Sequence, residues 1–382
     1  MKCGMVGWEF PPFRAGGLGV HCLELTRGLL SRGVTIDFYM PKTADRIKSP
    51  GEKMRILQVP VLKDVGIYER EKINLKDFFD AVHYYNLRTV DLFSEESEDI
   101  DLIHCHDWIT VKAGIELKRR SGKPLIFTVH STEYDRSANF FPMKWVIKIE
   151  EEGMENADLI IAVSHRTKKL IHDRYEIPDD KIKVVENGVD FGKFWWHRKR
   201  NYSQKNCKVL FLGRVTRQKG PDFFVRVAKR IVEMGTQGCD FLVCGAGEMI
   251  EGCKSLAGEL GIADRIKFTG EVSEEELISA YYNTDIYLLP ALSEPFGITV
   301  IEAMATGLPT IISKDTGVGE SLKHCLECDY WDIDEMADYI ITLLNHRILR
   351  ETMGRNGARE VMRFTWGRTC DETLRVYQEA LS

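Results

Sequence analysis

The 382-residue chain has no uninterrupted apolar run near the ~18–20 residues that span a bilayer, and its first apolar run breaks at Gly7 and Pro11, too early for a signal-peptide core. A transmembrane segment is not expected, peripheral membrane contact stays open, and the expected location is cytoplasmic. Positive charge is not in excess either. Lys and Arg number 52 against 58 Asp and Glu, so no global basic field attracts nucleic acid and none is expected as a partner. There is no internal repeat and no low-complexity tract. Ten cysteines are scattered without export signals and read as buried thiols rather than a disulfide framework. Cys325-Leu-Glu-Cys328, beside His324, has metal-ligand spacing, but no second pair completes a tetrahedral site, so its structural reading is preferred.

What is present is an ordinary globular balance, 44% hydrophobic and 29% charged, in a chain longer than the ~250–300 residues at which a single core stops growing. Two domains are expected. Short Val-, Ile- and Leu-rich runs alternate with amphipathic segments, the pattern of parallel sheets wrapped by helices. The first series of strands is predicted at residues 2–6, 34–40, 55–59, 102–105, 125–129, 159–163 and 182–185, and a second at 208–212, 241–244, 266–269, 286–289 and 310–312. Residues 1–192 form the first expected domain, the polar, basic stretch 193–206 a linker, and 207–365 the second domain. Residues 366–381 read as a helix with Trp366, Leu374, Tyr377 and Leu381 on one apolar face.

The strongest local pattern follows the strand at 286–289: a loop to Pro295, then Phe296-Gly297 opening a helix that ends near Gly307. In doubly wound sheets ligands bind beyond the carboxyl ends of strands, where helix N-termini offer unpaired amides and partial positive charge. A diphosphate would fit at Gly297-Ile298. Glu302, on the helix, is placed to accept from ribose hydroxyls, and Glu294, in the loop, to reach the hydroxyls of a transferred sugar. The bland alternative is acidic charge favouring the helix dipole, which leaves the glycine and proline unexplained.

Glu294-x7-Glu302 enclosing Pro295-Phe296-Gly297, with Asp315-Thr-Gly-Val-Gly-Glu320 downstream, resembles the signature of retaining glycosyltransferases of the GT-B fold. Both the glycogen and starch synthase family and the related glycosyltransferase family 4 carry it. The resemblance implies an α/β fold of two Rossmann-like domains facing across a cleft, with residues 366–382 crossing back to the first, acceptor-side domain. It also implies that Arg214 and Lys219, in Gly213-Arg-Val-Thr-Arg-Gln-Lys-Gly220, neutralise the departing nucleoside diphosphate, as two cations can without a metal. Arg217 could replace either on charge alone. Asp107, in His104-Cys-His-Asp-Trp108, and His130, in Thr128-Val-His-Ser131, are implied to hold the donor sugar.

Residues 7–19 carry Gly16, Gly17 and Gly19, glycines that free the backbone to approach a phosphate or sugar, and resemble the glycine loop of glycogen and starch synthases. Arg14 stands where that family has lysine. Gly17-Leu-Gly19 followed by Asp37 also suggests the dinucleotide fingerprint, but nine residues separate Gly7 from Gly17, whereas in that fingerprint the first glycine directly follows the strand.

A metal at His104, Cys105, His106 and His130 is disfavoured because adjacent strand residues point to opposite faces. His104 reads as a satisfied core histidine and His106 is left open. Asp99-Ile-Asp101 and Asp332-Ile-Asp334 lie at element starts, with Asp334 read as a helix N-cap; neither a catalytic metal nor a cofactor is expected. Trp195-Trp196-His-Arg-Lys-Arg200 reads as a linker packing its tryptophans on a domain, with contact to a glycan or membrane as the alternative.

The expected activity is transfer of a hexose with retention, foremost glucose from ADP- or UDP-glucose to an α-1,4-glucan. A family 4 enzyme with a lipid-linked or small-molecule acceptor, a nucleotide-sugar epimerase and a noncatalytic nucleotide-sugar binder are the alternatives.

Overall fold

Seven parallel strands form the first sheet of the computed structural model: β1 (Lys2–Val6), β2 (Thr35–Pro41), β3 (Met54–Val59), β4 (Leu102–His106), β5 (Leu125–Val129), β6 (Leu159–Ala162) and β7 (Ile182–Val184), in the order β3-β2-β1-β4-β5-β6-β7. Six more form the second: β8 (Cys207–Leu212), β9 (Cys239–Cys244), β10 (Ile266–Gly270), β11 (Ile286–Leu289), β12 (Thr310–Ser313) and β13 (Leu326–Cys328), in the order β10-β9-β8-β11-β12-β13. The structure describes residues 1–12, 16–44, 47–61, 75–96, 99–194, 207–236 and 238–382. Arg14, Trp195 to Arg200 and most of the expected linker lie outside them.

All pairings are parallel, and every residue of β4, β5, β6, β11 and β12 is buried. Continuous apolar runs are what strands covered on both faces require. These runs made the strands legible: the expected ranges match at β1, β5 and β11 and differ elsewhere by one or two residues at an end. The exception is β13, which was not expected. Its three residues include Glu327 and carry no β-branched residue, and only pairing with β12 (Ile311 beside Leu326) makes it a strand.

The chain divides into two compact units, Met1–Glu133 with Phe141–Gly188 and Trp366–Ser382, and Tyr134–Phe140 with Val189–Thr365. In the first, the helix Trp366–Leu381 lies on the helix Gly17–Ser31: Cys370 meets Gly28, where an added Cβ would fall 2.1 Å from Sγ, and Arg32 pairs with Asp371 at 2.6 Å. Each Rossmann-like sheet reverses its strand order once, at β1/β4 and at β8/β11, so the ligand-binding ends are the carboxyl ends of those strands.

Three smaller expectations meet the structure as follows. Asp332, not Asp334, caps the helix Ile333–Asn345, its Oδ1 accepting from Glu335 N at 2.9 Å; Asp334 lies one residue inside and pairs with Arg230. An N-cap side chain must reach the N–H two or three positions on, and Asp332 has that offset. Asp37 sits fully buried in β2, paired with Arg55 at 2.7 Å and Lys2 at 3.0 Å, a structural ion-pair cluster. All ten cysteines are free and nine are buried. Burial pushes the thiols of Cys325 and Cys328 up to about 12, into an unreactive range.

Candidate active site

In the second unit, β8 ends at Leu212 and the chain turns through Gly213, Arg214 and a short 3-10 turn, Arg217–Lys219, before the helix Pro221–Glu233. Gly220 joins them at φ +65°, with Pro290 O only 2.0 Å from where a Cβ would stand. Only glycine permits both that dihedral and that approach. The close packing brings the loop after β8 against the loop after β11, and Gln218 O accepts from Leu292 N at 2.9 Å and Ser293 N at 3.2 Å. Lys219 Nζ consequently meets Glu294 in an ion pair, the side chains 12% and 10% exposed. Arg214 is exposed on the same loop.

The Glu294 loop is tied on its other side to the downstream motif. Glu294 N donates to Asp315 O at 2.9 Å, Gly317 N to Glu294 O at 2.7 Å and Val318 N to Phe296 O at 2.8 Å. Ser293 Oγ donates to Asp135 Oδ1 at 2.6 Å, so the segment Tyr134–Phe140 also holds it. Gly297, at φ +107°, then turns the chain into the helix Ile298–Ala305, which ends before Gly307 at φ +79°. The first amides of a helix have no intrahelical partner, so Ile298 and Thr299 begin an anion-favouring end.

Glu302 sits one turn further in, 8% exposed. Tyr281 OH donates to its Oε2 at 2.8 Å, and Tyr287 OH reaches Thr299 Oγ1 at 2.8 Å on the same helix. Burial pushes the Glu302 carboxyl up to about 7, against the opposing pull of Tyr281, Lys193 and Lys219. Tyr281, Tyr287 and Lys193 escaped the sequence reading. Ala280-Tyr-Tyr282 ahead of a strand has no motif value by itself, and the three converge on this helix only through packing.

In the first unit, Asp107 follows β4 with φ 59° and ψ 168°, a positive-φ conformation rare for a residue with a side chain. Its Oδ1 accepts from His130 N at 2.7 Å and Ser131 N at 3.3 Å, so its carboxylate fixes the loop after β5. His106 Nδ1 and His130 Nε2 lie 3.0 Å apart, and burial draws the His130 imidazole down to about 3, keeping it neutral. His104 is the satisfied core histidine, with Tyr377 OH at 2.7 Å on Nδ1 and Thr128 Oγ1 at 2.6 Å on Nε2. Gly17 and Gly19, read from the sequence as part of a glycine loop, form the first turn of the helix Gly17–Ser31, where Val20 N donates to Gly16 O at 3.0 Å. A helix costs them that freedom but leaves its first amides without intrahelical partners.

Two Rossmann-like units, with Asp107 following β4 in the first and Arg214, Lys219 and Glu294 following β8 and β11 in the second, have the architecture of the GT-B glycosyltransferases. Residues 15–193 match glycosyltransferase family 4 and residues 193–360 match the glycosyl transferases group 1 family, and the chain belongs to the glycosyltransferases that join these two domains. It is 28% identical to an uncharacterized glycosyltransferase of Methanocaldococcus jannaschii over all of this chain and 99% of that one. It is 26% identical to a D-inositol 3-phosphate glycosyltransferase of Salinispora arenicola, covering 96% of this chain and 88% of the other. Among solved structures, sucrose-phosphate synthase from Thermosynechococcus elongatus superposes with a TM-score of 0.84 at 21% identity, covering 99% of this chain and 98% of that one. No described helix is long and apolar enough to cross a membrane.

Proposed function

We propose that the protein transfers a hexose from a nucleoside diphosphate to a small polar acceptor with retention of configuration. The observation that carries the donor half is the Lys219–Glu294 pair beside the helix beginning at Ile298. Lys219 has three N–H donors and uses one on Glu294; the others are offered to diphosphate oxygens, joined by Arg214 and the helix amides. As the glycosidic bond breaks, the leaving diphosphate gains charge, and these fixed cations stabilise it without metal or cofactor. Glu294 accepts from hydroxyls of the sugar and Glu302 from the ribose. His130 offers its neutral imidazole to a sugar hydroxyl, Asp107 acts by holding the His130 backbone, and the amide end at Gly17 and Gly19 is available to the donor. The acceptor hydroxyl attacks on the face from which the diphosphate leaves and gives its proton to the departing diphosphate oxygen, so no covalent enzyme intermediate forms.

The small acceptor is favoured by the name of the Salinispora relative, which specifies a phosphorylated polyol. Transfer from ADP- or UDP-glucose to an α-1,4-glucan is the second reading, favoured by the His-Asp-Trp and Thr-Val-His segments. Incubation with UDP-, ADP- and GDP-hexoses, each with D-inositol 3-phosphate, glycogen or no acceptor, separates these readings. Acceptor-dependent nucleotide release and a retained anomeric product support transfer. A converted nucleotide sugar without acceptor indicates an epimerase, and binding without turnover a sensor.

A further inference from the structure

Residues 133–143 form a compact loop between β5 and the helix Lys144–Asn156. Its base is closed in the first unit: Glu133 Oε1 accepts from Met143 N at 3.1 Å, and Glu150 Oε2 accepts from Glu133 N at 3.1 Å. Between those ends, Tyr134–Phe140 is part of the second unit and is folded on itself, with Ala138 N donating to Asp135 O at 2.9 Å, Asn139 N to Tyr134 O at 3.0 Å and Phe140 N to Ser137 O at 2.8 Å. Ala138, Asn139 and Phe141 take φ of 49°, 60° and 52°, positive values that residues with side chains rarely adopt. Backbone of this kind persists only where its surroundings over-determine it, and it gathers at functional sites.

Two side chains of the segment reach the two loops that carry the Lys219–Glu294 pair. Asp135, fully buried, accepts from Ser293 Oγ at 2.6 Å, and Ser293 is the residue before Glu294. The guanidinium carbon of Arg217 stands 5.3 Å from the centroid of the Phe140 ring, within cation–π range, and Arg217 is two residues before Lys219. Arg217, which charge alone would let replace Arg214 or Lys219, therefore has an aromatic partner of its own.

We propose that the segment Tyr134–Phe140 sets the geometry of the Lys219–Glu294 pair, with Asp135 as the positioning residue for Glu294 and Phe140 as that for Lys219. Neither needs to touch substrate. The Ser293 hydroxyl donates to a buried carboxylate, a charge-assisted bond that is stronger than a neutral one. Backbone bonds hold the same loop elsewhere: Leu292 N and Ser293 N to Gln218 O at 2.9 and 3.2 Å, and Glu294 N to Asp315 O at 2.9 Å. The bond to Asp135 is one that a single substitution removes while leaving that backbone intact. A misplacement of about 1 Å at a reacting group costs up to about 100-fold in rate. The catalytic consequence rests on the function proposed above; the tether does not.

Ser293→Ala removes the bond with little loss of volume, Asp135→Asn keeps an acceptor oxygen for it, and Phe140→Leu takes the ring from Arg217. Each full-length variant is followed by hydrogen exchange, by calorimetric binding of UDP, ADP and GDP, and by turnover of the nucleotide sugar that the parent uses. In Ser293→Ala, exchange of the amides at residues 292–294 is expected to quicken about tenfold and kcat to fall about 10–100-fold. Affinity for the nucleoside diphosphate stays within about twofold, since Glu294 serves the sugar. Asp135→Asn should keep a kcat about tenfold above that of Asp135→Ala. Phe140→Leu should quicken exchange at Lys219 and Gly220 and lower kcat about 3–10-fold. Asp135→Ala with Ser293→Ala should lose no more than Asp135→Ala alone, because both act through one bond. Phe141→Ser, at a side chain 95% exposed, leaves exchange and kcat unchanged. Exchange and kcat in Ser293→Ala indistinguishable from the parent, additive losses in the double variant, or a fall in kcat matched by an equal loss of nucleoside diphosphate affinity overturn the proposal. A parent that turns over no nucleotide sugar refutes the proposed function instead, and the exchange results then decide the tether alone.

Discussion

Lys219 and Glu294, 75 residues apart in the chain, form a nearly buried ion pair because Gly220 lets one switch-point loop rest on the other. Removing one partner leaves the other charge uncompensated, so structural and chemical roles must be separated. Lys219→Met is expected to cost up to about 3 kcal/mol of stability. It is also expected to lower kcat about 10²–10³-fold, the scale on which a fixed donor to developing charge acts. Adding Glu294→Gln restores much of the stability, read by denaturant unfolding, without restoring kcat. A double variant that recovers both would reduce Lys219 to a structural partner.

Glu302 supplies a pH dependence. Its carboxyl ionises at about 7 in the folded chain against an ordinary 4.5, because burial disfavours its charge. The folded state therefore holds a proton that the unfolded chain has already lost, and stability falls as pH rises from 4.5 to about 7. Nucleotide binding moves the opposite way: the ionised carboxylate is the better acceptor for ribose hydroxyls, so affinity rises through about 7. Calorimetry on the two sides of neutrality should show this in the parent and a flat response in Glu302→Gln, whose nucleotide Kd rises more than its kcat falls. An unchanged pH response in the variant counts against the assignment.

Asp107 acts through position. Asn keeps an oxygen for the amides of His130 and Ser131, whereas Ala does not. Asp107→Asn should retain kcat within about tenfold of the parent, and Asp107→Ala should lose at least a further tenfold, about 1.4 kcal/mol in the barrier. Equal loss in both would assign the carboxylate itself to the sugar.

Gly28→Ala tests the packing of the C-terminal helix. The new Cβ would stand 2.1 Å from Cys370 Sγ, and overpacking of this kind costs about 1–3 kcal/mol. Replacing Cys370 by Ala in the same chain should return most of that loss in the melting temperature, since it removes the clashing atom. Additive destabilisation by the two changes would show that the helices do not meet there.

The βα alternation could be read directly because short Val-, Ile- and Leu-rich runs marked twelve of the thirteen strands, and five of them, β4, β5, β6, β11 and β12, are buried along their whole length. The loop-to-helix break at Gly297 was equally legible, since few residues other than glycine open a helix at φ +107°. Other features were hidden for identifiable reasons. The strand β13 depends on its neighbour β12, and the first helix turn at Gly17 and Gly19 looks like a loop when glycine is read as freedom.

Local chemistry alone thus specified which residues are carried on which elements: strand ends, glycine hinges and the order of two Rossmann-like halves all follow from periodicity and backbone sterics acting over a few residues. Tertiary structure decided which of them meet. Lys219 finds Glu294, Tyr281 finds Glu302, Asp107 turns its carboxylate to the backbone of His130, and the imidazoles gather in a buried cluster. Each of these contacts joins segments more than twenty residues apart, and what sets them is the order of strands in a sheet and the burial that folding imposes on each charge.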